Sequence, residues 1–259
     1  MKSPALPAEG WLSVELPPLL EDGEVHVWRA PLSVSENPIS SKGPIDAKNP
    51  LSEDEKNRGS RFHFAKDRES FTSARGILRS LLGLYVGRPP ASLVFEYGPE
   101  GKPALASAES ISFNLAHSST LGLFAVASGA PLGIDVELVR EHENWEDLAE
   151  RFFCAAEVSA LRALPAAART SEFFRIWTRK EAYVKGLGKG LSLPLDGFSV
   201  LGESGRPAPA GPSAEGEELR RWSLYDLEPG AGFRGALAVR RARAAVRTLR
   251  WPPGANPNS

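Results

Sequence analysis

The stretch from Arg68 to Gly87 constrains the fold most. Phe71, Ala74, Leu78, Leu81, Leu82 and Tyr85 recur at helical spacing and make one apolar stripe, while Arg68, Arg75 and Arg79 group on another face, so the spacing predicts an amphipathic helix with a basic side. After the break at Arg88-Pro89-Pro90, SLVFEYG, ISFNLAHSS and LGLFAVAS read as strands, the last two as a hairpin-like pair rich in β-formers. A second half opens with PLGIDVELV, continues through helices in NWEDLAERFF, AEVSALRAL and SEFFRIWTRKEAYVKGLG, and ends with strands near RWSLYDL and FRGALAVR. Each half mixes helices and strands in comparable proportion, which predicts an α+β chain of two similar lobes. Residues 1–24 and 31–50, around a short strand in VHVWR, read as extended cover. The stretch 202–218 reads as a solvated loop and the tail WPPGANPNS as poorly ordered.

Composition narrows the function classes. Lys plus Arg number 31 and Asp plus Glu 32, so a net charge of -1 offers no general field for nucleic acid or an anionic membrane. The one cysteine, Cys154, excludes an intrachain disulfide framework and a multi-cysteine zinc site, and reads as a small buried apolar residue. The four histidines show no metal-ligand spacing. The N-terminus lacks an uninterrupted apolar run, so the expectation is a cytoplasmic protein with no targeting or spanning segment.

Chemistry concentrates in two segments. The two-residue period of a strand in PLGIDVELV puts Ile134, Val136 and Leu138 on one face and Asp135 with Glu137 on the other. Adjacent like charges are costly unless a cation neutralises them, and Mg²⁺ is the usual partner of carboxylate oxygens. In SEFFRIWTRKEAYVKG, Glu181 falls in a row with Phe173 or Phe174, Trp177 and Val184, so it either pairs with Lys185 one turn on or gives the same cation a third ligand. Lys180, Lys185 and Lys189 are the residue type that holds phosphate oxygens beside a metal. GLGKG is no P-loop, because it follows a helix and lacks the Ser/Thr, so Gly186 and Gly188 read as helix-terminating. His117 at a strand end, Lys102 in a Gly-Lys-Pro loop, and Arg61, Arg68 and Arg75 complete a set suited to one polyanionic ligand. Together these residues predict Mg²⁺-dependent chemistry on a phosphate-bearing substrate, either phosphoryl-group transfer or phosphodiester hydrolysis.

GIDVE (133–137), WTRKEAYVKGLGKGLSLPLDGFSV (177–200), FNLAHS (113–118) and GKP (101–103) together resemble the Sfp-type 4'-phosphopantetheinyl transferases, over roughly Arg61 to Val200. The resemblance implies transfer of the 4'-phosphopantetheine arm of coenzyme A to a serine of an apo acyl-, peptidyl- or aryl-carrier protein, with release of 3',5'-ADP. Carried over by position, Asp135, Glu137 and Glu181 are the ligands of Mg²⁺ or Mn²⁺. Lys180 and Lys185 lie on the phosphates, His117 reaches them, Gly101, Lys102 and Pro103 flank the adenine and its phosphate, and Arg68, Arg75 or Arg61 holds the 3'-phosphate. Ala116 stands where the family commonly has serine. The serine attacks the β-phosphorus in line, with Glu181 as main acid/base and Glu157 as the other candidate. The implied fold is an α+β pseudo-dimer with the site in the cleft between lobes 1–130, which contacts the nucleotide, and 131–259, which holds metal and phosphate. Such a chain works as a monomer on an acidic carrier, with no nucleic acid or membrane partner. The rival readings are a metal-dependent nuclease or nucleotidyl transferase, and a non-catalytic coenzyme A- or carrier-binding protein.

Overall fold

The computed structural model describes residues 5–6, 10–32, 50–106, 110–141, 145–190, 193–202, 207–209 and 216–251. The first half runs β1 (Ala5–Leu6), β2 (Glu24–Pro31), α1 (Glu53–Ser60), α2 (Ala65–Val86), β3 (Phe95–Tyr97), β4 (Pro103–Leu105), β5 (Ile111–Ser118) and β6 (Leu121–Ser128). The second runs β7 (Leu132–Leu138), α3 (Trp145–Phe152), α4 (Ala155–Arg162), α5 (Ala166–Leu187), β8 (Phe198–Ser199), β9 (Ala208–Pro209), α6 (Gly216–Arg220), β10 (Ser223–Leu227), β11 (Phe233–Val239) and β12 (Ala245–Arg250).

The same unit occurs twice: a strand, a 22-residue helix closed by a left-handed glycine, and an antiparallel hairpin whose second strand pairs with the first strand of the unit. In the first half these are β2, α2, β5 and β6, with the helix capped by Gly87; in the second they are β7, α5, β10 and β11, with Gly188 as cap. At φ near +65° both caps take the left-handed conformation that glycine adopts without a Cβ penalty. This is the two-lobed α+β architecture that the sequence predicts.

Alternation along the strands builds four layers. In β2 and β6, Val25, Val27, Leu123 and Ala125 face Ile134, Val136, Leu237 and Val239 of β7 and β11, so the two sheets share an apolar interior. Trp28, Ala30, Phe124 and Val126 point the other way, onto Leu78, Leu81 and Leu82 of α2. On the far side, Ala236 and Ala238 meet Phe174, Ala182 and Tyr183 of α5. The stripe read from Arg68 to Gly87 therefore does face the core.

The chain ends depart from a division at residue 130. β12 pairs in parallel with β2, from Ala245 opposite Glu24 to Arg250 opposite Arg29, so the last strand completes the first lobe's sheet. β1 pairs in parallel with β10 in the second lobe. Each terminus covers a sheet edge whose amides and carbonyls would otherwise be unpaired, which favours the exchange over two self-contained halves. Residues 10–12 are more than cover: Leu12 bonds Thr248 O and the amide of Arg250 at 2.8 and 2.9 Å, and the buried Trp11 donates its indole N–H to Glu228 O at 3.0 Å. The Gly/Pro-rich stretch 202–218 also holds β9, paired with β8, and the start of α6. Residues 203–206 and 210–215 of that expected loop, 33–49 and the tail 252–259 lie outside the described residues. No helix among the described residues is long and apolar enough to cross a membrane.

One buried polar group under α2 gives the fold a pH dependence. His26 is fully buried, with Nδ1 2.7 Å from the Tyr85 hydroxyl, which also accepts the Trp28 indole N–H at 2.9 Å, and with Nε2 3.4 Å from Glu24. Burial holds the imidazole below its ordinary value despite the pull of Glu24. As pH falls below about 6.5 the unfolded chain takes up the proton first, so stability present above that pH is lost on acidification. Urea midpoints should fall from pH 7 to pH 5, and fall less steeply in His26→Gln; equal slopes would remove His26 as the cause.

Candidate active site

Two glycines allow β7 and α5 to touch. A Cβ at Gly133 would run into Ala182 O and the amide of Gly186, and one at Gly186 would lie 2.5 Å from Cζ3 of Trp222, so neither position has room for a side chain. Gly186 thus serves close packing inside the helix, whereas Gly188 is the terminator, its N–H going to Val184 O and Lys185 O. The close approach sets Glu181 and Lys185, one helical turn apart, against Asp135 and Glu137, two strand residues apart.

Lys185 Nζ donates to Asp135 Oδ1 at 2.6 Å, while the buried Asp135 Oδ2 has no hydrogen-bond partner. Burial pushes the Asp135 carboxyl up to about 7 against the pull of Lys185, and the nearby Glu137 and Glu181 add to the rise. Burial alone would lower the Lys185 amine, but Asp135, Glu181 and Glu137 outweigh it and hold it raised. Burial is the larger cause at Asp135, but the carboxylates raise both groups, and a negative cluster of this kind favours bound positive charge. Glu181 is half-buried, as is Trp177 one turn before it, and its field acts on Asp135 and Lys185. Among the described residues no three His, Cys, Asp or Glu side chains enclose a metal position as they stand, and the Lys185 ammonium is the cation that meets Asp135. The donor set nonetheless suits a hard divalent ion: three carboxylates, one carrying an orphaned buried oxygen.

The rims of the cleft come mostly from the first half. At the β7 start, Lys102 Nζ donates to Leu132 O at 2.8 Å and Gly186 O at 2.9 Å, tying the Gly98–Pro103 turn to the end of α5, and burial lowers its amine to about 8. Gly101 supplies the turn's left-handed residue at φ 78, and Pro103 starts β4. At the opposite end, His117 lines a pocket of about 310 Å³ with Phe62, Phe71, Lys66, Asp67 and Arg140. The His117 side chain is exposed, yet partial desolvation in the cleft and the Lys185 cation lower its pKa, with Asp67 opposing.

Residues 131–238 match the 4'-phosphopantetheinyl transferase superfamily, and residues 40–129 match the family described as 4'-phosphopantetheinyl transferase, N-terminal. The chain is 41% identical over 224 residues to the 4'-phosphopantetheinyl transferase HetI of Nostoc sp. (strain PCC 7120), covering 85% of this chain and 89% of the relative. The chain belongs to the 4'-phosphopantetheinyl transferases. Among other relatives, psf-1 of Bacillus pumilus is 32% identical over 71% of this chain and 77% of its own, and Sfp of Bacillus subtilis (strain 168) is 31% identical over 58% and 66%.

Several expected site residues of this transferase are not brought to the carboxylates. Glu157 is fully buried at the start of α4, accepting from the amides of Cys154 at 3.1 Å and Val200 at 2.7 Å, and pairs with Lys180 Nζ at 2.8 Å. Lys180, also fully buried, donates to Leu195 O and Phe198 O at 2.6 and 2.7 Å, over the Phe198 ring. Burial lowers its pKa, with Glu157 opposing. The pair therefore clamps the 195–200 segment onto α4 and α5, because Lys180 sits on the side of α5 turned from β7. Arg75 likewise does not stand on a solvated basic face: it and Arg79 grip Glu55 of α1 at 2.8 and 2.5 Å, both stacked on Phe95, with Arg75 also donating to the Tyr97 hydroxyl at 2.9 Å. Arg61 and Arg68 are exposed at the end of α1 and the start of α2. Sequence reading sets Ser118 beside His117 at a strand end that presents hydroxyls to a pocket, but it missed Asn114 and the bond of Ser118 to Glu137; the four-residue spacing of Asn114 and Ser118 on one strand face was the available signal.

Proposed function

We propose that this transferase moves 4'-phosphopantetheine from coenzyme A to a serine hydroxyl of an apo carrier protein, with 3',5'-ADP leaving and Mg²⁺, or Mn²⁺, as the metal. The observation that carries the reading is the orphaned Asp135 Oδ2 beside Glu137 and Glu181 at the junction of two lobes in a chain of this family. Asp135, Glu137 and Glu181 would hold the ion, which when bound offsets charge on the pyrophosphate oxygens. Lys185 exchanges Asp135 for a phosphate oxygen and stabilises the departing 3',5'-ADP. His117 and Lys66, on the pocket wall, suit further phosphate contacts. The serine proton goes to Glu181, since Glu157 is enclosed with Lys180 and cannot meet a substrate hydroxyl. Lys102 closes the adenine end of the cleft, and the exposed Arg61 and Arg68 remain available to the 3'-phosphate, unlike Arg75.

One copy supplies both walls of the cleft, which supports a monomer, and the reading takes an acidic carrier as its protein partner and the cytoplasm as its location. A nuclease would need a broad basic face, which a net charge of -1 does not favour, and a mere binding protein would have no need of all three carboxylates. Intact-mass measurement of apo carrier proteins incubated with the enzyme, coenzyme A and Mg²⁺ tests the proposal. The expected result is a gain of one phosphopantetheine that a chelator prevents. No gain on acyl, peptidyl or aryl carriers, with coenzyme A bound, would overturn it.

A further inference from the structure

β5 and β7 come from different lobes and form the edges of different sheets, yet they are joined. The joining atoms belong to side chains. Asn114 Oδ1 accepts the amide of Ile134 at 2.9 Å. Four residues further along β5, Ser118 Oγ accepts the amide of Leu138 at 3.1 Å and donates to Glu137 Oε2 at 2.8 Å. Both amide bonds span the same 20 positions of sequence, so the two strands run parallel in one register. Residues i and i+4 of a strand point the same way, and Ala116 between them is small and buried in the core shared by the sheets.

A ladder of main-chain carbonyls would be indifferent to sequence, whereas this one depends on two side chains. The amides they hold, at Ile134 and Leu138, bracket Asp135 and Glu137. We propose that Asn114 and Ser118 are positioning residues: side chains of the first lobe that fix the carboxylate strand of the second, with Ser118 also orienting Glu137 by committing its Oε2, so that Oε1 is the oxygen a cation meets. The neutral hydroxyl suits this task, because it donates to the carboxylate while accepting from an amide and brings no competing charge. The inference rests on the cation reading of Asp135, Glu137 and Glu181.

The test uses the full chain and Mn²⁺ alone, with binding followed by electron paramagnetic resonance and amide exchange by NMR. Outer partners of metal ligands are worth roughly 10- to 100-fold in affinity. Ser118→Ala is expected to weaken Mn²⁺ binding at least about 10-fold and to speed exchange of the Leu138 amide, with amides of the β2–β6 pair unchanged. Ser118→Thr, which keeps the hydroxyl, is expected to restore both. Asn114→Ala is expected to speed exchange of the Ile134 amide, and Asn114→Asp, which keeps an accepting oxygen, to retain its protection; wild-type Ile134 exchange in a folded Asn114→Ala would remove Asn114 from the inference. Wild-type Mn²⁺ affinity and wild-type Leu138 exchange in Ser118→Ala would overturn this inference alone. A wild-type chain that takes up no Mn²⁺ would overturn it together with the cation reading.

Discussion

Asp135→Asn is expected to lower carrier modification by about 10²–10³-fold or more while leaving the metal-free protein at least as stable as wild type. The two effects have one cause, a carboxylate kept in an environment that penalises its charge. Its folded pKa is about 7 against 3.8 for the unconstrained group, so between those values the folded protein holds a proton that the unfolded chain has lost. Its contribution to stability therefore declines as pH rises from about 4 to 7, and above 7 the full penalty stands. Asparagine removes that penalty. The Lys185 amine, about a third exposed, can turn to water when its partner is gone. Urea unfolding across this range, without metal, should show a stability loss in wild type that is reduced in the variant. Carrier modification within a few-fold of wild type would remove Asp135 from the reaction.

Lys180→Met should produce the largest loss of stability, about 3–5 kcal/mol, because it strands the fully buried Glu157 carboxylate. The double change Glu157→Gln with Lys180→Met should recover much of it, since replacing both members of a buried pair by neutral groups of similar volume avoids an isolated charge. Urea midpoints of the two single variants and the double variant measure the coupling. The rate per folded molecule should stay near wild type in the double variant, because neither side chain faces the carboxylate cluster. A Lys180→Met protein with wild-type stability but weakened coenzyme A binding would return Lys180 to the phosphates. Loss of kcat in Glu157→Gln with activity kept in Glu181→Gln would reverse the choice of base.

Much of the candidate site was legible because it lies within two short segments of regular structure. GIDVE as a strand places Asp135 and Glu137 on one face whatever the rest of the fold, and the helical turn places Glu181 beside Lys185 in the same way. What local geometry leaves open is which face of a helix meets what. Lys180 and Lys185 read alike as phosphate lysines, yet five residues on a helix carry them to opposite environments, one enclosed by Glu157 and Phe198, the other against Asp135. Arg75 looked like part of a basic face because Glu55, 20 residues earlier, gives no sign in sequence of folding over α2.

The same division holds for the whole chain. Periodicity along α2, α5 and the strands determined two α+β lobes, since burial of an apolar stripe or face is decided by residues a few positions apart. The exchange of β1 and β12 between the lobes, the contact of Gly133 with α5 and the side-chain junction of Asn114 and Ser118 with β7 were decided only in three dimensions. They join residues that no short-range pattern relates. Edge amides and carbonyls have to find partners wherever the chain brings them, and which partners those are depends on how the two sheets pack.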